Sequence, residues 1–93
     1  MSPLVTEVIN GEAYHYYPLG RYVVRAIGVC GDRPTFKYTR IEITGVMERL
    51  AKGETVETIV QGFRGRVSRE AITEAFQVVT HHFLASLPDL NVA

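Results

Sequence analysis

Three arginines are packed into six residues in the C-terminal half of the chain: Arg64, Arg66 and Arg69. Arginines at the turn between two helices can contact DNA phosphates, and an arginine on the second helix can bind guanine through two hydrogen bonds. In a helix-turn-helix, the first turns of the second helix face the major groove. The candidate DNA-binding residues are therefore Arg64, Arg66, Ser68, Arg69, Glu70, Thr73 and Gln77.

The same segment also carries charge that opposes DNA binding. Glu70 and Glu74 lie on the helix that would enter the groove, and their carboxylates would repel phosphate. The alternative interpretation is a solvated turn whose charges serve solubility. The residues alone leave both interpretations open.

Histidine and cysteine residues do not form a pattern typical of a metal or catalytic site. His81 and His82 are adjacent, so their side chains point about 100° apart on a helix. A zinc site would need further ligands, and only Cys30 and His15 remain. No nucleophile triad, carboxylate pair or phosphate-binding glycine loop stands out. We therefore expect no metal, no cofactor, no catalytic residue and no enzymatic activity.

Composition describes an ordinary globular domain. The 93 residues are 46% hydrophobic and 22% charged, and ten basic residues balance ten acidic ones. The charge is nevertheless unevenly distributed. Residues 21–40 form a basic segment, because they carry five basic side chains and one acidic side chain, Asp32. The single cysteine, Cys30, favours a reducing cytoplasm. The stretch 75–88 lacks charged residues but is too short and too polar to span a bilayer, so we expect no membrane association.

The first third of the chain predicts β-strands. Asn10-Gly11 separates two runs of β-prone residues, and this dipeptide favours a type I′ hairpin that pairs Ile9 with Glu12. A third strand is predicted over 21–26, and two short extended pieces follow over 35–37 and 39–41. Because such a ribbon leaves an unpaired edge, we predict that the N-terminal segment, residues 1–26, forms a homodimer interface.

From residue 43 onwards the hydrophobic period changes to that of helices. Three helices are predicted, with Thr44, Thr55 and Ser68 as their N-caps and Gly53 ending the first. The third helix ends near Leu87, since Pro88 cannot continue it. Its predicted apolar stripe consists of Ile72, Ala75, Phe76, Val79 and Phe83.

Several short motifs together resemble the prokaryotic domain-of-unknown-function 433 family. Cys30-Gly31-Asp32-Arg33-Pro34 and the following Thr39-Arg40-Ile41 are similar to its Cys-Gly-Gly-Lys-Pro and Gly-Thr-Arg-Ile stretches. Two later segments, 50–59 and 68–75, resemble its Leu-x-x-Gly-x-Ser-x-Glu-Glu-Ile and Thr-x-Glu-Asp-Ile motifs. The resemblance covers about residues 25–80. Tyr38 stands where the family usually has glycine, and Arg64-Gly65-Arg66 replaces a Tyr-Pro-x-Leu-like turn.

Members of that family resemble the DNA-binding half of VapB-type antitoxins, and many are coupled to nuclease-like toxins. The resemblance implies a homeodomain-like or winged-helix-like core, which matches the three predicted helices. Together with the strands predicted above, it gives an α+β, mainly helical fold in which an N-terminal β-hairpin or short sheet precedes that three-helix core. The expected division is residues 1–26 for dimerisation, residues 27–87 for the helix-turn-helix-like core and residues 88–93 as a tail, within one domain.

The expected function is that of a cytoplasmic, homodimeric, antitoxin-like regulator that binds double-stranded DNA. The alternative is a non-enzymatic interaction module that binds a toxin-like protein without contacting DNA. Salt dependence separates the two, because phosphate contacts release counterions.

Overall fold

A computed structural model describes residues 3–88 of the chain. Four antiparallel strands form one sheet in the order β1-β2-β3-β4, and three helices follow. The elements are β1 (Val5–Ile9), β2 (Glu12–Pro18), β3 (Val23–Ala26), a short 3-10 turn (Cys30–Asp32), β4 (Pro34–Phe36), α1 (Ile43–Ala51), α2 (Val56–Gly62) and α3 (Arg69–Ser86). No helix within residues 3–88 combines the length and apolar character needed to cross a membrane.

The N-terminal hairpin is confirmed in its register. Ile9 pairs with Glu12, and the pairing continues to Val5 opposite Tyr16. Asn10 and Gly11 both adopt positive φ, at 52° and 81°, as a type I′ turn requires. The local sequence therefore determines this part of the sheet.

Two of the three predicted helix N-caps are confirmed. The side chains of Thr55 and Ser68 accept hydrogen bonds from the backbone N–H groups of Thr58 and Ala71 at the starts of α2 and α3. Thr44 is not an N-cap, because α1 already begins at Ile43. The reason is tertiary, since Glu42 pairs with Thr35 across a β-bridge and the helix starts directly after it.

The predicted fold class is wrong. In place of a mainly helical protein with a three-helix homeodomain-like or winged-helix-like core, the structure has a four-stranded antiparallel sheet that shares its core with the helices. Strands and helices contribute to this core together, and its fully buried members are Val23, Phe36, Ile43, Val46, Ile59, Val67, Ala71, Ile72 and Ala75. A second cluster of Tyr16, Val24 and Ala26 lies elsewhere on the sheet. Residues 23 and 24 are both fully buried, so β3 is covered on both faces.

Only the first half of α3 packs on the core. Ile72 and Ala75 of the predicted stripe are buried, whereas Phe76, Val79 and Phe83 are 58%, 41% and 60% exposed. An 18-residue helix is about 27 Å long and extends past the short elements beneath it. We call residues 79–88 the C-terminal arm, because every one of its side chains is exposed.

Candidate nucleic-acid interface

The turn between α2 and α3 carries two arginines on a tightly bent backbone. Arg64 and Gly65 adopt positive φ, at 53° and 83°, and so turn the chain between the two helices. The N–H group of Arg66 donates to the Phe63 carbonyl at 3.0 Å, and the buried side chain of Val67 fixes the end of the turn. Arg64 and Arg66 are both exposed as a result.

Arg69, the first residue of α3, forms an ion pair with Glu57 of α2. Both side chains are more than 60% exposed, so water weakens the attraction. A backbone hydrogen bond, and after it the Arg69 guanidinium, lowers the pKa of Glu57. Part of the charge of Arg69 is therefore compensated within the protein.

Of the other predicted residues at the start of α3, two form hydrogen bonds within the helix, and the other two have exposed side chains. Ser68 is half-buried and caps the helix, and the Thr73 hydroxyl donates to the Arg69 carbonyl at 3.1 Å. Glu70 and Gln77 are exposed. Glu70, Thr73 and Gln77 line a shallow groove with Tyr22. The structure thus places Arg69, Glu70, Thr73 and Gln77 along one groove, with Arg66 and Ser68 beside it, whereas Arg64 is exposed on the turn and does not line that groove.

Glu74 is directed at the sheet. Its carboxylate accepts hydrogen bonds from the backbone N–H groups of Arg21, Tyr22 and Val23, at 2.9, 2.6 and 3.2 Å. Three donors on one carboxylate are typical of a structural anchor, because each N–H group stabilises the negative charge. Glu74 therefore fixes the turn before β3 against α3.

Sequence reasoning missed a basic cleft beside this surface. The cleft has a volume of about 380 Å³ and lies between the turn before β3, the loop after β4 and the α2–α3 turn. Its cationic residues are Arg21, Lys37 and Arg66. The excess of positive charge over residues 21–40 was the available signal, but nothing local in the sequence places it next to Arg66.

Lys37 is held in place by its neighbours. Its ammonium group lies 5.0 and 4.9 Å from the ring centres of Tyr16 and Tyr38, and 3.6 Å from the Glu7 carboxylate. Hydrogen bonding to Tyr16 is the main cause that raises the pKa of Lys37, and hydrogen bonds from Tyr16 and Tyr38 lower the pKa of Glu7. Tyr38 has a φ of 67°, so the turn where the family has glycine accepts a side chain in the left-handed region.

Charge compensation leaves three arginines available on this side of the molecule. Arg21, Arg64 and Arg66 are exposed and form no ion pair within residues 3–88. The guanidinium of Arg21 lies 5.5 Å from the ring centre of Tyr22. The arrangement can bind an extended anion through several separate guanidinium groups.

The residues considered for metal or thiol chemistry have local partners. His15 is hydrogen-bonded to Thr6 at 2.9 Å, and the Cys30 thiol donates to the Arg40 carbonyl at 3.3 Å. His81 and His82 contact each other edge to face on the C-terminal arm. In the part of the chain that the structure describes, no three His, Cys, Asp or Glu side chains are grouped so that they could hold a metal ion.

Two tyrosines of the hairpin, Tyr14 and Tyr16, pack within the protein, whereas Tyr17 is exposed. The ring centre of Tyr14 lies 5.1 Å from that of Tyr16 and 5.5 Å from that of Tyr38, and the Tyr14 hydroxyl accepts the N–H group of Tyr38. These contacts join the hairpin to the loop after β4. Homodimerisation through residues 1–26 stays a prediction.

One comparison with known proteins gives a match. The family model described as "Protein of unknown function (DUF433)" matches residues 23–77, which is more than half of the chain. No curated protein and no solved structure matches. The matched region begins at β3 and includes all but the last nine residues of α3, so the β1–β2 hairpin lies outside it.

Proposed function

We propose that this chain, which belongs to the DUF433 family of proteins of unknown function, is a DNA-binding regulator resembling the DNA-binding half of VapB-type antitoxins. In this proposal α2, the following turn and α3 act as a helix-turn-helix unit. The first turns of α3 enter the major groove, and the arginines of the turn contact phosphates.

The observation that carries the proposal is the group of uncompensated arginines around the start of α3. Arg64 and Arg66 lie on the turn and Arg21 lies across the basic cleft, each exposed and without an ion pair in residues 3–88. The N-terminus of a helix itself attracts phosphate through its N–H groups and dipole. Several positive groups at one helix N-terminus suit the DNA backbone.

Negative charge on α3 is the main argument against DNA contact, and less of this charge faces the candidate interface than the sequence implies. Glu74 is bound by three backbone N–H groups of the sheet, and Glu57 faces Arg69. Glu70 is then the one acidic residue on the first turns of α3 whose carboxylate has no hydrogen-bond or ion-pair partner in the described range. The local excess of positive charge therefore favours DNA over an interaction module that avoids it.

The test is binding of duplex DNA measured by fluorescence anisotropy. The duplex comes from the region upstream of the gene, with a scrambled duplex as control, at about 50 and 200 mM salt. We expect preference for the native duplex and a loss of affinity of at least tenfold between the two salt concentrations. Absence of binding at 50 mM salt would overturn the proposal.

Single substitutions then locate the contact. Arg66→Ala removes one candidate phosphate contact and should reduce the slope of log K against log salt by about 0.9. Arg64→Asn removes a charge while keeping a residue that tolerates the left-handed backbone. The matched control is Lys52→Ala, an exposed cation at the end of α1 that lines neither the cleft nor the groove beside Tyr22. If the Arg66→Ala chain bound duplex DNA as tightly as the Lys52→Ala chain, DNA contact through this turn would be contradicted.

A further inference from the structure

The C-terminal arm is an apolar helix end whose side chains are all exposed among residues 3–88. Exposed apolar side chains form a stripe along α3 and its end. They are Phe76, Val79, Phe83, Leu84 and Leu87, and each is 41–60% exposed. The spacing of Phe76, Val79 and Phe83, three and then four residues, is that of a seam between paired helices. Residues 75–88 contain no Asp, Glu, Lys or Arg.

An exposed helix of this composition needs a partner. All eight helical residues of the arm are exposed, so tertiary packing, which supplies most of the stability of helices in proteins, contributes little there. Solvated helix surfaces normally carry charged residues, and this surface has none between Ala75 and Pro88. The arm is therefore suited to burial.

A complementary surface lies beside the same helix. An apolar groove of about 550 Å³ runs along α3 at Val78, Val79 and His82. Its floor and walls are formed by Leu19, Val23, Pro34, Ile43 and Thr44, and the charged residues Arg25, Asp32 and Arg33 stand at its edge. A protruding apolar helix end and an apolar groove thus occur on one chain.

We propose that two copies of this chain form a two-fold dimer in which the C-terminal arm of each copy lies in the apolar groove of the other. The two α3 helices run antiparallel, because each arm must pass the middle of the other helix to reach that groove. A two-fold axis makes the exchange reciprocal, so both arms and both grooves are covered together.

Charge complementarity favours a second copy as the occupant. The C-terminal end of a helix carries a partial negative charge, and the last turn of α3 contains no basic residue to compensate it. In the proposed dimer this end lies near Arg25 of the other copy. Arg33 is already paired with Glu42 at 2.7 Å, whereas Arg25 forms no ion pair within residues 3–88 and its Nε donates to the Asp32 carbonyl at 3.0 Å. The charge of Arg25 is therefore not neutralised by a carboxylate and can face the helix end.

The available area is sufficient for a stable dimer. The five side chains of the stripe expose on the order of 450 Å² of apolar surface. A standard interface buries about 800 Å² of each partner. Each copy contributes both its stripe and its groove, so the exchange buries about 600 Å² per partner, which is the lower end of the range for a stable dimer, without using the sheet edge.

The test is the mass of the full chain in solution by light scattering and sedimentation, without DNA, so that its outcome does not depend on the proposed function. We expect a mass of twice 10.4 kDa at about 100 µM for the unmodified chain. Phe83→Glu should give the monomer mass with an unchanged circular dichroism spectrum. Val8→Glu, a matched change at an apolar residue of β1 that is 74% exposed, should leave the dimer intact.

The opposite results overturn the proposal. A monomeric unmodified chain excludes the dimer, and a dimer lost in the Val8 variant but kept in the Phe83 variant places the interface on the N-terminal sheet. The exchange itself is tested in a Cys30→Ser background by mixing Leu84→Cys and Thr44→Cys chains under mild oxidation. A disulfide between the two different chains is expected, and a dimer without it contradicts the exchanged geometry.

Discussion

The carboxylate of Glu74 on α3 lies against the backbone of Tyr22, whose N–H group donates to Oε1 at 2.6 Å. Fifty-two residues separate the two in sequence. Arg21 and Val23 donate to the same carboxylate, so one side chain satisfies three successive N–H groups. This contact sets the start of β3 against α3, and it places the Arg21 side chain beside the candidate interface.

The contact between Glu74 and the turn predicts a coupled pair of substitutions. A Cβ atom at Gly20 would collide with the Glu74 carboxylate, and the backbone of Gly20 is not in the left-handed region. Glu74→Ala should lower the free energy of unfolding by about 2 kcal/mol, since charge-assisted hydrogen bonds are lost. Gly20→Ala should cost about 1–2 kcal/mol by displacing that carboxylate. Urea denaturation measures both.

The double variant decides whether the two effects share one cause. When Glu74 is already alanine, the added Cβ at Gly20 has no carboxylate to displace. We therefore expect Gly20→Ala to change stability little in that background, with an interaction energy of about 1 kcal/mol or more. Strictly additive costs would show that the two residues act independently.

The ion pair between Glu57 and Arg69 predicts a variant that binds DNA more tightly. Glu57→Gln removes a negative charge and releases the Arg69 guanidinium. We expect affinity for duplex DNA at 50 mM salt to rise by about two- to fivefold, and Arg69→Ala to reduce it by a similar factor. Anisotropy titrations measure both variants. Equal affinity for the Gln variant and the unmodified chain would place Arg69 outside the contact.

The cluster around Lys37 predicts how stability depends on acid. Hydrogen bonds from Tyr16 and Tyr38 lower the pKa of Glu7 below its ordinary 4.5. A carboxyl group with a lowered pKa in the folded state stabilises the protein above pH 4.5, and this contribution disappears as pH falls through the folded value. Glu7→Gln should thus be less stable than the unmodified chain at pH 7, and the difference should close in acid.

Urea midpoints between pH 7 and pH 2.5 measure this difference. The matched control is Glu12→Gln on the same hairpin, an exposed carboxylate with no ion pair in residues 3–88. The urea midpoint of the Glu12→Gln control should equal that of the unmodified chain at every pH. A Glu7 variant whose deficit stays constant into acid would show that the charge of Glu7 is not what stabilises the cluster.

Local chemistry in the sequence was sufficient for several elements. Asn10-Gly11 predicts its turn because a type I′ hairpin needs positive φ at both positions, and Thr55 and Ser68 predict helix starts because their hydroxyl groups satisfy nearby N–H groups. Four candidate interface residues, Arg69, Glu70, Thr73 and Gln77, lie at helical spacing on α3, so their common groove also follows locally. These features depend on contacts within a few residues.

Features that depend on distant contacts were not predicted. The helical spacing of Phe76 and Phe83 indicates an apolar stripe, but it does not say that the core ends near Val78. The resemblance implied a helical core, whereas Val23 and Phe36 bring two strands into it. The proximity of Arg21 to Arg66 likewise follows from the packing of sheet on helices, for which periodicity and charge counts carry no information.

The C-terminal arm predicts a dependence of hydrogen exchange on protein concentration. In a monomer the helical residues of the arm, 79–86, are all exposed, so little tertiary packing opposes fraying and their amides should exchange rapidly. If the arm lies in the groove of a second copy, opening it requires dissociation. Protection should then rise by up to about tenfold between about 1 and 100 µM protein, because the monomer fraction of a dimer falls with the square root of concentration. The β2 and β3 amides are the internal control, because their hydrogen bonds form within one chain and should not respond to concentration. Phe83→Glu should abolish the response of the arm alone. Protection that is equally high at both concentrations would instead mean that the arm is stabilised within the monomer, which the exposure of Phe83 and Leu84 gives no reason to expect.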